Sequence, residues 1–284
     1  MPARLAAMNC SHRFFDLEEF FASADAAGFE GVELWIGPMH FFMDAHGHDP
    51  VSRLVGLERR YDLPIIGVCP EQANPKPHNI AVRGETGRAR TLAYFTNALE
   101  VARELGASQV VVTSGWGYLN EPVEVAWERS VTMLSAIARR AEAIGVPLAI
   151  EALQPDESNL AHTAADLLRL VAEVDSPALG VCLDLGAMAV AGDTIEGYFA
   201  TFAGRIIHVH FVDVGHGMTH LAWGDGERDM TSDLAALARC GYEGWLSSET
   251  VDPERFAGPA AADAQTMAAF RTAQEQLRRG VRHL

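Results

Sequence analysis

The chain has 284 residues, 49% of them hydrophobic, and a formal net charge of −16. This hydrophobic fraction supports a large packed core and excludes a disordered chain. The negative charge argues against a nucleic-acid-binding protein, which needs a concentrated basic surface to hold phosphates.

Short apolar runs alternate with amphipathic segments of helix length along the chain. The runs that predict strands are Leu5–Asn9, Gly31–Trp35, Pro64–Cys69, Gln109–Ser114, Pro147–Leu153, Leu179–Leu185, Ile206–Val212 and Gly244–Thr250. The segments that predict helices lie near residues 16–27, 50–61, 86–105, 121–144, 162–174, 194–203, 230–240 and 258–279. Asp16, with Glu19 three residues later, is typical of a capping box.

Eight strand–helix pairs predict a single (β/α)8 TIM barrel over residues 1–284. A doubly wound open sheet is the main alternative, but no G-x-G-x-x-G or P-loop motif follows the first strand.

The cysteines and the first residues of the chain indicate the cellular compartment. The four cysteines are far apart and form no C-x-x-C pair, so we expect reduced thiols in a cytoplasmic protein. The first apolar run is too short for a signal peptide, and no stretch approaches a membrane span. We therefore expect no membrane partner.

Polar residues end most of the predicted strands, where functional residues of a barrel gather. Because side chains alternate faces along a strand, Glu151, Asp184, His210 and Glu249 all face the barrel interior on strands 5 to 8. Three carboxylates this close repel one another unless a cation neutralises them. Oxygen ligands with one imidazole suit Mn2+, Mg2+ or Co2+, so we predict one divalent metal ion here. The weaker alternative is that these four polar residues end their strands independently and bind no metal.

Several stretches carry a family resemblance. They are Val32–Trp35 (VELW), Pro77–Ala81 (PHNIA), Leu105–Ala107 (LGA), Leu148–Glu151 (LAIE), Gly180–Asp184 (GVCLD), His208–His210 (HVH), Gly224–Gly226 (GDG) and Ser248–Glu249. Together they resemble the xylose-isomerase-like TIM barrel superfamily of sugar isomerases and epimerases, which includes ketose 3-epimerases and inosose-processing enzymes. The resemblance implies Mn2+, Mg2+ or Co2+ bound by the four residues above, and a dimer or tetramer.

The resemblance also implies a mechanism and a catalytic pair. A divalent ion chelated by a carbonyl and its neighbouring hydroxyl acidifies the C–H between them and stabilises the enediolate. Glu151 and Glu249, one on each face of that planar intermediate, would remove and return the proton.

Substrate contacts are predicted less uniformly. Glu157 matches a substrate-contacting glutamate of the ketose epimerases, whereas a histidine and an arginine of those enzymes are replaced here by Ala187 and His216. We predict that the residues that contact a small polyhydroxylated substrate are Glu157, His216, Glu33, Trp35 and Trp116. The His-rich loop 38–50 has two equal interpretations, a lid that supplies His46 or His48 and a loop that packs on a neighbouring subunit.

Four functions remain open. The leading hypothesis is a metal-dependent isomerase or epimerase of a sugar, keto-sugar or inositol derivative. The same site could serve a lyase that eliminates from a 3-keto-glycoside or dehydrates an inosose. An apurinic-site endonuclease shares the barrel but needs more metal ligands and a basic surface. A non-catalytic subunit of a hetero-complex is the fourth.

Overall fold

The computed structural model describes residues 3–72 and 76–281, and its central feature is a closed barrel of eight parallel strands. The barrel strands are β1 (Arg4–Met8), β2 (Gly31–Ile36), β3 (Ile65–Pro70), β4 (Val110–Val112), β5 (Leu148–Ile150), β6 (Leu179–Asp184), β7 (Ile206–His210) and β10 (Trp245–Ser248). Two short strands, β8 (Asp213–Gly215) and β9 (Met218–Leu221), form an antiparallel hairpin. The helices are α1 (Leu17–Ala27), α2 (Ser52–Tyr61), α3 (Glu85–Leu105), α4 (Val123–Ile144), α5 (Ala164–Val174), α6 (Leu185–Ala191), α7 (Ile195–Phe202), α8 (Met230–Arg239) and α9 (Pro259–Val281).

The strand order confirms the predicted (β/α)8 TIM barrel. Around the barrel the order is β1-β10-β7-β6-β5-β4-β3-β2, and β1 pairs with both β2 and β10 to close it. Among residues 3–72 and 76–281, no helix is both long enough and apolar enough to cross a bilayer.

Two predicted local features were wrong. Asp16 lies at the N-cap of α1, but its side chain makes no capping hydrogen bond, so there is no capping box. Strand β6 ends at Asp184 instead of Leu185, because Asp184 Oδ1 accepts a hydrogen bond from the N–H of Ala187 and begins α6. The sequence of α6, LGAMAVA, is apolar throughout. It therefore lacks the alternation of polar and apolar residues that predicts a helix.

The hairpin β8–β9 is the other element that the sequence did not predict. It lies between β7 and α8, and its base is held by the buried carboxylate of Asp213. Asp213 Oδ2 accepts hydrogen bonds from the N–H groups of Gly224 and Gly226, and Oδ1 accepts from those of Val214 and Arg228. A side chain at Gly226 would collide with this carboxylate. The GDG turn is therefore built around Asp213.

The barrel interior is filled differently at its two ends. Outward-facing strand residues pack against the helices in one large core. Inside the barrel, a small apolar cluster includes Met8, Val111, Ala149 and Cys182. Polar residues at the carboxyl ends of the strands lie beside this cluster, and the four cysteines are free thiols. The packed interior thus supports a polar site at the carboxyl end of the barrel.

Candidate active site

Four side chains from adjacent strands meet at the carboxyl end of the barrel. Glu151 follows β5, Asp184 ends β6, His210 ends β7 and Glu249 follows β10. One ligand atom from each lies within 4.8 Å of the others. His210 Nδ1 is 2.9 Å from Glu151 Oε2 and 2.7 Å from Glu249 Oε2. We call these residues the Glu–Asp–His–Glu cluster.

Strand register explains why the cluster forms. Asp184 pairs with His210 across β6 and β7, and His210 pairs with Ser247 across β7 and β10. The N–H of Glu151 donates to the carbonyl of Val112 at 3.0 Å and extends the β5 ladder by one residue. Adjacent strands therefore present their last residues at one level.

Burial and mutual repulsion govern the charge of the cluster. Burial raises the pKa of Glu151 to about 8, even though His210 opposes the shift. Burial also acts to raise the pKa of Asp184, but His220 and His210 outweigh it and lower the pKa. Burial would lower the pKa of His210, yet the surrounding anionic groups raise it well above its usual range. The cluster therefore favours positive charge at its centre.

Three buried atoms of the cluster lack hydrogen-bond partners among the described residues. They are both ring nitrogens of His210, of which Nδ1 faces the carboxylates, and Asp184 Oδ2, whose partner oxygen already caps α6. Such orphaned atoms are what a coordinated cation would satisfy. Three carboxylate oxygens and one imidazole nitrogen suit a divalent ion of the Mg2+ or Mn2+ type. The residues present fit a metal site.

A second possible ligand group lies deeper in the barrel. Cys182 and His208 lie close to His210 there. However, the imidazole of His208 is already hydrogen-bonded to Glu33. The upper cluster offers four side chains, three of them carboxylates, so it is the better site for a hard divalent ion.

Glu33 lies beneath the cluster, which corrects its predicted place among the substrate contacts. It is fully buried, and its Oε2 accepts a hydrogen bond from His208 Nε2 at 2.8 Å and lies 3.4 Å from His210 Nε2. Gly67 on β3 pairs with Glu33, and a side chain there would collide with Gln109 and crowd the Glu33 carboxylate. Burial acts to raise the pKa of Glu33, but the two histidines hold it below its usual range. The Glu33 carboxylate therefore binds His208 and places a negative charge behind the imidazole of His210.

A pocket of about 480 Å³, part of it open to solvent, lies above the cluster. Two of the predicted substrate contacts, Trp35 and Glu157, line it. Ala187 lines it as well.

His220, which we did not single out from the sequence, also lines this pocket. Its Nε2 lies 3.4 Å from Asp184 Oδ2 and 3.7 Å from Glu249 Oε2. Burial would lower its pKa, but Asp184 raises it to about 10. The sequence pointed instead to His216, whose exposed imidazole lies 3.8 Å from Glu227, away from the pocket. The fold of the hairpin β8–β9 decides which of the two histidines faces the pocket. No sequence motif marks this hairpin, so the sequence could not separate them.

The remaining predicted contacts lie outside the pocket. Trp116 lines a neighbouring groove. In the loop 38–50, His46 is exposed and His48 stacks on the buried ring of Phe41. His40 hydrogen-bonds to Asn9, whose side chain binds both the N–H and the carbonyl of Trp35. The loop therefore supports the wall of the pocket from behind.

Comparisons with known proteins agree with this geometry. The family model described as xylose isomerase-like TIM barrel matches residues 21–278. Fructoselysine 3-epimerase of Escherichia coli O157:H7 is 32% identical over 244 residues, 85% of this chain and 88% of that protein. L-ribulose 3-epimerase of Mesorhizobium japonicum is 27% identical over 84% of this chain and 77% of that protein. A solved structure of L-ribulose 3-epimerase superposes with a TM-score of 0.79 at 23% identity, covering 99% of this chain and 97% of that one.

The chain belongs to the xylose isomerase-like TIM barrel family. Its relatives confirm the predicted enzyme class, an isomerase or epimerase of sugar derivatives.

Proposed function

We propose that this enzyme is a divalent-metal-dependent 3-epimerase of a ketose, with Glu151, Asp184, His210 and Glu249 as the metal ligands. The observation that carries the proposal is the arrangement of the two glutamates. They end the row of four, on either side of Asp184 and His210, and both reach His210 Nδ1. The named relatives that epimerise ketoses at C3 support the same reaction.

The two glutamates are the proton-transferring groups of this mechanism. When bound, Mn2+, Mg2+ or Co2+ would supply Lewis-acid stabilisation of the negative charge that develops on substrate oxygens. One glutamate removes the proton at C3, and the other delivers a proton to the opposite face. Glu151 is buried at the base of the pocket, which limits the access of water to its carboxylate.

Residues of the pocket wall would orient the sugar. Glu157 Oε2 accepts a hydrogen bond from the N–H of Gln154, which leaves Oε1 for a substrate hydroxyl. Gln154 Nε2 donates to Thr219 Oγ1, and that hydroxyl contacts His220 Nδ1 at 3.1 Å. His220 lines the pocket, and its Nε2–H can donate to a substrate oxygen. His220 and Ala187 line the same pocket, so His220 would supply a polar contact that Ala187 cannot make. Trp35 would cover an apolar face of the sugar.

Other properties belong to the same proposal. The substrate is a small polyhydroxylated molecule, and neither nucleic acid nor a membrane is a partner. The protein works in the cytoplasm as a homo-oligomer.

The test is product analysis in D2O. Protein stripped of metal and then loaded with Mn2+, Mg2+ or Co2+ is incubated with a panel of free ketoses and followed by NMR. We expect the C3 epimer with deuterium at C3 from the loaded enzyme and none from the stripped enzyme. Release of water or of a substituent would identify a lyase instead, and the absence of deuterium at C3 of every ketose would reject the proposal.

A further inference from the structure

A groove opens beside the pocket, on the other side of Glu157. Residues 116–119 after β4 form one wall and residues 155–159 after β5 form the other. Glu157 lines both this side groove and the pocket above the Glu–Asp–His–Glu cluster. Glu157 is therefore the wall that the two cavities share, and a substituent that passes its side chain would enter the side groove.

Hydrogen bonds between its two walls fix the base of the side groove. The N–H of Gly117 donates to Asn159 Oδ1 at 2.7 Å, and Ser158 Oγ donates to the carbonyl of Gly115 at 2.6 Å. Asn79 binds both the N–H and the carbonyl of Trp116. A cavity with both walls tied in this way is preformed, as ligand sites generally are.

The side groove is apolar on one wall and acidic on the other. Trp116 is half-buried, whereas the side chains of Tyr118 and Leu119 are 41% and 91% exposed. An exposed apolar group of this size beside a cavity is typical of a binding surface. Asp156 and Glu157 supply negative charge, and Asp156 forms no ion pair among the described residues.

Two arginines near the aromatic wall of the side groove pair with another carboxylate. Arg83 and Arg129 both pair with Glu121, and the guanidinium of Arg83 lies 4.1 Å above the Tyr118 ring. Neither of them pairs with the carboxylate of Asp156. Its charge and the aromatic wall suit an ammonium group carried on an apolar chain.

We propose that the side groove binds the substituent of a ketose that carries an amine-bearing alkyl chain, with the ammonium near Asp156. The proposal rests on the proposed function, because it takes the sugar to lie at the Glu–Asp–His–Glu cluster. A second copy of the chain covering Leu119 is the competing occupant.

The test measures binding by calorimetry with two ketosamines, the fructose adducts of 1,4-diaminobutane and of butylamine. They differ in the distal ammonium alone. We expect the metal-loaded enzyme to bind the diaminobutane adduct about fivefold more tightly, as one partly exposed charge pair allows. Asp156→Asn should abolish this preference. The matched control is Asp25→Asn on α1, a remote exposed aspartate, and it should keep the preference.

Three outcomes would overturn the proposal: equal dissociation constants for the two adducts, a preference that survives in Asp156→Asn, or dissociation of an oligomer by Leu119→Ser with both constants unchanged. The last outcome would assign the side groove to a contact between copies. Because binding needs no turnover, a preserved preference without deuterium exchange at C3 would reject the 3-epimerase alone. Exchange without a preference would reject the side groove alone.

Discussion

His208 Nε2 donates a 2.8 Å hydrogen bond to Glu33 Oε2, and both side chains are fully buried beneath the Glu–Asp–His–Glu cluster. The same carboxylate oxygen lies 3.4 Å from His210 Nε2. A carboxylate behind a metal-binding imidazole fixes the tautomer and orientation of the ring. Glu33 therefore influences the cluster without touching the pocket.

The first prediction concerns the effect of Glu33 on metal binding. Glu33→Gln should weaken metal binding roughly 10- to 100-fold, because it removes the negative charge that lies 3.4 Å from His210 Nε2. Titration of the stripped protein with Mn2+ measures the effect, with circular dichroism to verify folding. Glu30→Gln, at an exposed position just before β2, is the control and should leave the affinity unchanged. Equal affinities in both variants would remove Glu33 from the site.

The second prediction separates two histidines of one hairpin. His220→Gln should lower kcat/KM about 100-fold, because it removes the donor that faces Asp184 and Glu249. His216→Gln should lower it less than twofold, because that side chain is exposed and lies near Glu227. Steady-state kinetics of the two variants side by side measure the difference. A larger loss in His216→Gln would contradict the placement of the hairpin.

The third prediction concerns the stability of the turn below that hairpin. Asp213→Asn should lower the free energy of unfolding by roughly 3 kcal/mol, because a buried carboxylate that accepts four backbone N–H bonds becomes an amide. Urea unfolding measures the change. Asp229→Asn at the N-cap of α8 should change stability by less than about 0.5 kcal/mol, since asparagine caps equally well. Similar losses in both variants would show that Asp213 is an ordinary turn residue.

The sequence predicted the barrel because its evidence is local and repeated. Each strand is an apolar run, and each helix has an apolar face, so eight repeats outweigh errors at single boundaries. The segment from Leu185 to Ala191 shows the limit of this approach. It is apolar on every side, and it becomes a helix because the carboxylate of Asp184 caps it.

The depth of a side chain in the barrel could not be read from the sequence. Alternation places Glu33 inside, as it does Glu151, but strand register decides which lies below and which lies at the rim. Glu33 pairs with Gly67, within β3, whereas Glu151 follows the last residue of β5. His216 and His220 both adopt a left-handed backbone conformation, with φ of 56° and 54°, so the local conformation does not separate the histidine in the pocket from the exposed one.

The most direct test of the central claim follows the C3 proton in variants of the two glutamates. Glu151→Gln and Glu249→Gln, at saturating metal confirmed by elemental analysis, are incubated in D2O with each C3 epimer of an accepted ketose. We predict that interconversion of the epimers falls at least about 1000-fold in both variants. We also predict that each variant exchanges the C3 proton of at most one epimer. Full epimerisation by either variant would contradict proton transfer by this pair.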